Sequence, residues 1–265
     1  MRFHRIAKLT SLFFRLSFMQ QLAYRKSFWL AIISKVLRMA IVLIFFEAVF
    51  LHVDRLGSWD RPAVLTLIAT YLTFESLIII TFHRNLAYYL PDHLRKGTFD
   101  GFVTKPVPVL PHVGFRIIDT MDLISSTPIL ALWVYLISQG IVRPSLTDVA
   151  VFAYAVVLGL AFTFSLSTIV ASISFHSLVS TGLGRIYEYL FLTGRYPTDS
   201  LGTQQSQLLT YVIPFAVVGS VPAQALNGLL TPNVLLGVTV PVVVFAWLAK
   251  VAWQRGLKAY SSASS

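Results

Sequence analysis

The chain has 265 residues, 56% of them hydrophobic and 12% charged, with a mean hydropathy of +0.73. Soluble domains carry about 25% charged residues, so this composition excludes an ordinary water-soluble fold and points to several bilayer crossings. The net charge of +10 speaks for cytoplasmic loops meeting anionic lipid, not for nucleic acid, because the cations flank apolar runs and form no separate basic module.

In residues 1–27, Ile6, Leu9, Phe13 and Leu16 recur at helical spacing with Arg5, Lys8 and Arg15 to one side. This predicts an amphipathic helix lying in the inner headgroup layer, either a plain anchor or a contact for a cytoplasmic partner. No small-residue cleavage site follows, which argues against a signal peptide. Six apolar runs come next, at about 28–51, 63–82, 114–138, 146–171, 207–230 and 233–253, and predict six transmembrane helices. The expected fold is an all-α integral membrane protein. It is a single transmembrane domain over 1–265, with the interfacial helix at 1–27, the six-span region at 28–253 and a tail at 254–265.

Cations set the orientation. Arg2, Arg5, Lys8, Arg15, Arg25, Lys26, Lys35 and Arg38 precede or enter the first span, and Arg84, Arg95, Lys96, Lys105 and Arg116 join the second to the third. Arg185 and Arg195 fall between the fourth and fifth spans, and Lys250, Arg255 and Lys258 at the end, against only Arg55, Arg61 and Arg143 on the other side. Both termini are therefore expected in the cytoplasm.

Within the second span, Glu75 falls near the bilayer midplane, with Tyr71 one turn before it on the same face and Thr66, Thr70 and Thr73 on the opposite face. A charge at that depth costs about 2.5–3.5 kcal/mol. These five residues therefore either line a solute route or, for Glu75, form an interhelical hydrogen bond in its protonated form. The next stretch, "HLRKGTFDGFVTKP" at 93–106, is polar and fenced by Pro91 and by Pro106, Pro108 and Pro111. Leu94, Phe99 and Phe102 offer apolar contact beside Arg95, Lys96 and Asp100, which reads equally as a docking surface or as an interfacial loop. Arg116, Asp119 and Asp122, spaced i, i+3, i+6, suggest a local ion ladder, with a proton relay as the sharper alternative. Pro214, Pro222 and "NGLLTP" at 227–232 break the fifth run. They suggest a span followed by a short re-entrant helix, or else one kinked helix.

Several chemistries are missing. There is no G-x-x-x-x-G-K-[ST], H-E-x-x-H or G-x-S-x-G motif, and His4, His52, His83, His93, His112 and His176 show no ligand spacing. With no cysteine, disulfides, cysteine-bound zinc and thiol catalysis are also excluded. No facing pair of acids or histidines supports an intramembrane enzyme.

Lys96, Gly97, Phe99, Asp100, Val103, Lys105 and Pro106 fill a pattern that resembles the segment after the second span in type-2 ATP-binding-cassette (ABC) permeases, in the subgroup of small six-span subunits. "GRYP" at 194–197, "YVIPFAVVGSVPAQAL" at 211–226 and "WQRGLKAYSSAS" at 253–264 resemble that subgroup's closing motifs. The resemblance implies a permease subunit of an exporter in the bacterial plasma (inner) membrane, which is not itself an enzyme. A separate ABC ATPase would carry ATP and magnesium, and this chain would hold no cofactor. It further implies a cytoplasmic coupling helix, with Arg95, Lys96, Gly97, Phe99, Asp100, Phe102 and Lys105 meeting the ATPase, and a solute path shared with a second permease chain, identical or related. The competing reading is a proton-coupled secondary transporter using Glu75 and Asp119/Asp122, although no inverted repeat accompanies it.

Overall fold

In the computed structural model the described residues are Met19, 25–176 and 188–260. The amphipathic helix expected at 1–27 lies almost wholly outside them. Among the described residues the chain is helical and contains no strand. Five helices are long and apolar enough to cross a membrane: Trp29–Phe50, Arg61–Thr81, Thr120–Ser138, Leu146–Ile173 and Pro232–Ala259.

Helix α1 (Arg25–Phe50) and α2 (Arg61–Thr81) are joined by a loop containing Ser58. The Asp60 carboxylate accepts the Ala63 N–H at 3.0 Å and Pro62 occupies the first turn, so α2 has both a cap and a preset φ where its first donors would otherwise be orphaned. Within their apolar windows, 67% of α2 is buried but only 11% of α1. Thus α2 is the hub and α1 its outer neighbour.

Beyond α2 a wide π turn (Asn85–Tyr89) leads into α3 (Leu90–Arg95), then α4 (Asp100–Val103) and α5 (Val109–Gly114). The third crossing starts later than predicted from the apolar run. Residues 115–119 are not helical, because Asn85 holds Ile117 by both its N–H (3.1 Å) and its carbonyl (2.7 Å). Asp119 then caps α6 (Thr120–Ser125) by accepting the Asp122 N–H at 2.9 Å. The crossing continues as α7 (Thr127–Ser138), with Pro128 in its first turn.

Helix α8 (Leu146–Ile173) opens on a reciprocal capping box between Ser145 and Asp148. After α8, the chain between Glu188 and Asp199 runs the length of α2. His83 Nε2 lies 3.3 Å from Glu188 at one end, Gly194 lies against Tyr71 midway, and Asp199 accepts the Ser58 N–H at 2.8 Å at the other. Beyond the α-helical residues 188–191, this passage is built from two 3₁₀ turns, Leu192–Arg195 and Thr198–Leu201.

The fifth run predicted at 207–230 is likewise not one helix. It comprises α9 (Thr203–Gln207), a π turn (Leu208–Val212), a 3₁₀ turn (Phe215–Val218) and α10 (Ser220–Leu226). Pro214 has no N–H to donate and pushes Ile213 out of the helical region, to φ −118° and ψ 85°. Gly219 provides the second break, and the carbonyl oxygen of Gly194 approaches it so closely that no side chain fits between them. Residues 214–223 are buried throughout, as irregular backbone at membrane depth requires. Helix α11 (Pro232–Ala259) closes the fold, packing along α8. The core fills the space between α2, α8 and α10 with Leu67, Ile68, Phe74, Phe162, Phe215 and Val217.

Candidate functional site

Two places in the fold combine the residues singled out in the sequence. The first is the segment joining the second and third crossings. Gly97 takes φ +68°, a backbone value open to glycine at little cost, and this turns α3 into α4. Phe99 is fully buried, with its ring against Phe102 (5.9 Å), Phe175 (5.4 Å) and Tyr260 (4.9 Å). Tyr260 also donates its hydroxyl to Asp100 at 3.0 Å, and Trp253 stacks edge-on to Phe175 at 5.3 Å. Phe102 is buried too, enclosed by the His93 and His112 rings and by the Arg116 guanidinium 4.9 Å away.

Phe99 and Phe102, which the sequence offers as apolar contacts for a partner, therefore turn inward and tie the segment to the ends of α8 and α11. The outward face is Arg95, Lys96, Thr98, Gly101, Val103, Thr104 and Lys105. Arg95 and Lys96 both reach Asp92, at 2.8 and 2.7 Å, and these contacts hold its carboxyl below the usual range.

Burial, then the neighbouring Arg116, pushes the His93 imidazole below the ordinary value of 6.5, and burial with Lys105 and Arg116 does the same for His112. The unfolded chain binds these protons more readily. Stability is thus complete above about pH 6.5 and is lost as pH falls through the lowered folded values. Melting temperatures taken from pH 7.5 to 5.5 are expected to fall for the native protein and to fall less for H93Q/H112Q.

The second place is a set of charges between α1, α2, α6 and the 188–192 passage. Glu75 receives a hydrogen bond from Arg38 of α1, so it meets a cation from the neighbouring helix. Lys35, one turn earlier on α1, donates to Asp122 and Ser76, both at 2.9 Å. Arg84 pairs with Asp119. The ladder expected from Arg116, Asp119 and Asp122 does not form. Asp119 and Asp122 take cations from other helices, and Arg116 turns to Phe102 and to His93 Nε2 at 3.2 Å. The i, i+3 spacing fails because 115–119 is not helical.

A cavity of about 490 Å³ opens beside these pairs, with Arg38, Glu75, Arg84 and Glu188 in its wall. The other route candidates do not line it. Thr66 and Thr70 are sealed in the core, and Thr73 accepts the Trp133 indole N–H at 2.8 Å. The Thr66 and Thr73 hydroxyls donate to carbonyls of their own helix. Tyr71 is buried against Phe191.

Arg195, counted with the cytoplasmic cations, lies part-way along the passage. Its guanidinium sits 5.1 Å over the Tyr196 ring, and that ring packs on Phe45 and Phe46 of α1. The 3₁₀ turn at 192–195, wedged beneath Gly219, carries it there. Lys35, Arg38, Arg84 and Glu188 are the residues that sequence reasoning passed over as site members. Part of their signal was present, since Lys35 and Arg38 fall within the first apolar run as Glu75 falls within the second, and ionisable residues at membrane depth pair with one another.

No curated protein and no solved structure matches this chain. Residues 36–264 match the model of a family described as ABC-2 family transporter protein. That stretch takes in all five long helices save the start of the first, the inter-crossing segment and every paired charge but Lys35, and the chain belongs to the ABC-2 family of transporter proteins.

Proposed function

We propose that this multi-pass protein is the membrane-spanning permease subunit of an ABC exporter, paired with a second permease chain and driven by a separate ATPase that binds ATP and magnesium. The observation that carries this reading is the 93–106 segment. It is a short helical piece clamped from within by Phe99 and Tyr260, and it leaves Val103, Thr104 and Lys105 on its free face. A partner gripping that face would move a piece rigidly joined to the bundle, biasing a two-state rearrangement of the permease pair. With the cationic connections in the cytoplasm of a bacterial cell, the segment faces the side where ATP is found. A proton carrier is disfavoured, because Glu75, Asp119 and Asp122 are each already held by a fixed cation.

The test separates the two faces of the segment. V103D with K105E should leave the melting temperature of the purified permease unchanged, yet abolish ATPase co-purification and ATP-driven export. F99A should instead cost about 3–5 kcal/mol of stability, as buried phenylalanines do. Export that persists undiminished in V103D/K105E, or that survives ATP depletion, would refute the reading.

A further inference from the structure

The cavity beside α2 has a composition that selects a ligand class. Arg38 and Arg84 each expose about half of their side chains, 42% and 51%. Each guanidinium gives one hydrogen bond to an acid, and its remaining donors meet no acceptor among the described residues. A guanidinium has five N–H donors, so both keep free capacity facing the opening. Glu188 brings the opposite sign, with 44% of its side chain exposed, and it is fixed in place by Tyr88 and His83. Tyr189 stands beside it in the wall, and an aromatic face next to a carboxylate suits an organic cation. Burial pushes His83 below its ordinary value, so it adds no charge near neutral pH. Two arginines and two glutamates in the wall balance to zero. Ile78, Ile79, Phe191 and Leu192 complete the wall with hydrocarbon, and the volume of about 490 Å³ falls in the range of small-molecule sites, roughly 300–1,000 Å³.

A site built only for anions would not place Glu188 at its opening, and one built only for cations would not leave two guanidiniums half free. We propose that this cavity binds a zwitterionic amphiphile, its acidic group against Arg38 and Arg84, its cationic group against Glu188 and Tyr189, and its apolar tail along Ile78, Ile79 and Leu192. As a statement about exported cargo it rests on the permease reading; as a statement about binding it does not.

The test uses the purified full chain in a non-ionic maltoside detergent, with four probes below their micellar concentrations: octylphosphocholine, octyl phosphate, octyltrimethylammonium and free phosphorylcholine. Octylphosphocholine should bind at least tenfold more tightly than any of the other three. E188Q keeps an acceptor for Tyr88 and His83 but removes the negative charge, so preference should swing toward octyl phosphate. R38Q/E75Q removes a cation and its paired acid together, and should weaken octylphosphocholine and octyl phosphate by about tenfold while sparing octyltrimethylammonium. Equal or tighter binding of either singly charged probe by the native chain overturns the proposal. Equal binding of phosphorylcholine overturns its amphiphilic part, and an unchanged preference in E188Q overturns the role of the carboxylate. No ATPase is present in any arm, so failure of the permease reading would appear in co-purification and leave these constants untouched.

Discussion

Gly219→Ala is expected to prevent stable folding. A Cβ at this position would overlap the Gly194 carbonyl oxygen and press on Leu67. Overpacking a core with a flexible side chain costs about 1–3 kcal/mol, because rotamers and neighbours can give way. Here the obstacle is backbone on both sides: the 3₁₀ turn of 192–195 meets the break between the 215–218 turn and α10. Neither strand of chain can retreat without disturbing Val217 and Val218, which are fully buried. The expected result is a loss beyond the upper end of that range, seen as poor recovery from membranes and a collapsed thermal transition in detergent. Gly101→Ala is the control, because a Cβ there meets nothing within 4 Å. A G219A protein that melts with the native one would mean that the two turns do not touch as described.

The second large effect is expected at Lys35 and Asp122. Lys35 Nζ binds Asp122 at 2.9 Å, Ser76 at 2.9 Å and Ser126 at 3.3 Å, joining α1 to α2 and to the third crossing. Both side chains are largely withdrawn from the surface, at 17% and 12% exposure. Asp122→Leu strands an ammonium among apolar helices, and breaking a buried pair from one side costs about 3–5 kcal/mol. Lys35→Met with Asp122→Leu should recover most of that loss, since neither charge then needs compensation. A double-mutant cycle on unfolding in detergent measures the coupling. A double variant less stable than D122L alone would show that the ammonium and carboxylate are not each other's principal partner.

How much of this was legible beforehand depends on the length scale of the interaction. The long helices were readable because twenty apolar residues in a row have few other fates, and the break at Pro214 follows from local backbone chemistry, whereas the second break falls at Gly219 and not at Pro222, which lies inside α10. The fifth passage was not readable. Residues 188–201 contain Arg195, Thr198 and Asp199 and look like a loop, and only contacts with residues far away in sequence, such as Phe191 on Tyr71, Gly194 on Gly219 and Asp199 on Ser58, set their course along α2. At the site, Glu75 was found because a lone acid at mid-span is conspicuous. Its partner Arg38 was absorbed into the count of orienting cations, since pairing across 37 residues leaves no mark in local spacing. Phe99 was found for its position but misread in direction, because an aromatic in a polar stretch looks the same whether it faces a partner or its own core.

The aromatic joint around Phe99 has a mechanical consequence. Phe175 follows the end of α8, and Trp253 and Tyr260 belong to the end of α11, so the segment is fastened to the tips of two 28-residue helices. At 1.5 Å per residue each is a rod about 42 Å long, and the two lie against each other along their lengths. A shove delivered at Val103 would not be absorbed as loop slack. It would travel as tilt or slide of a paired strut, and α10, seated on that strut and on α2, would feel the stroke at the far end of the molecule.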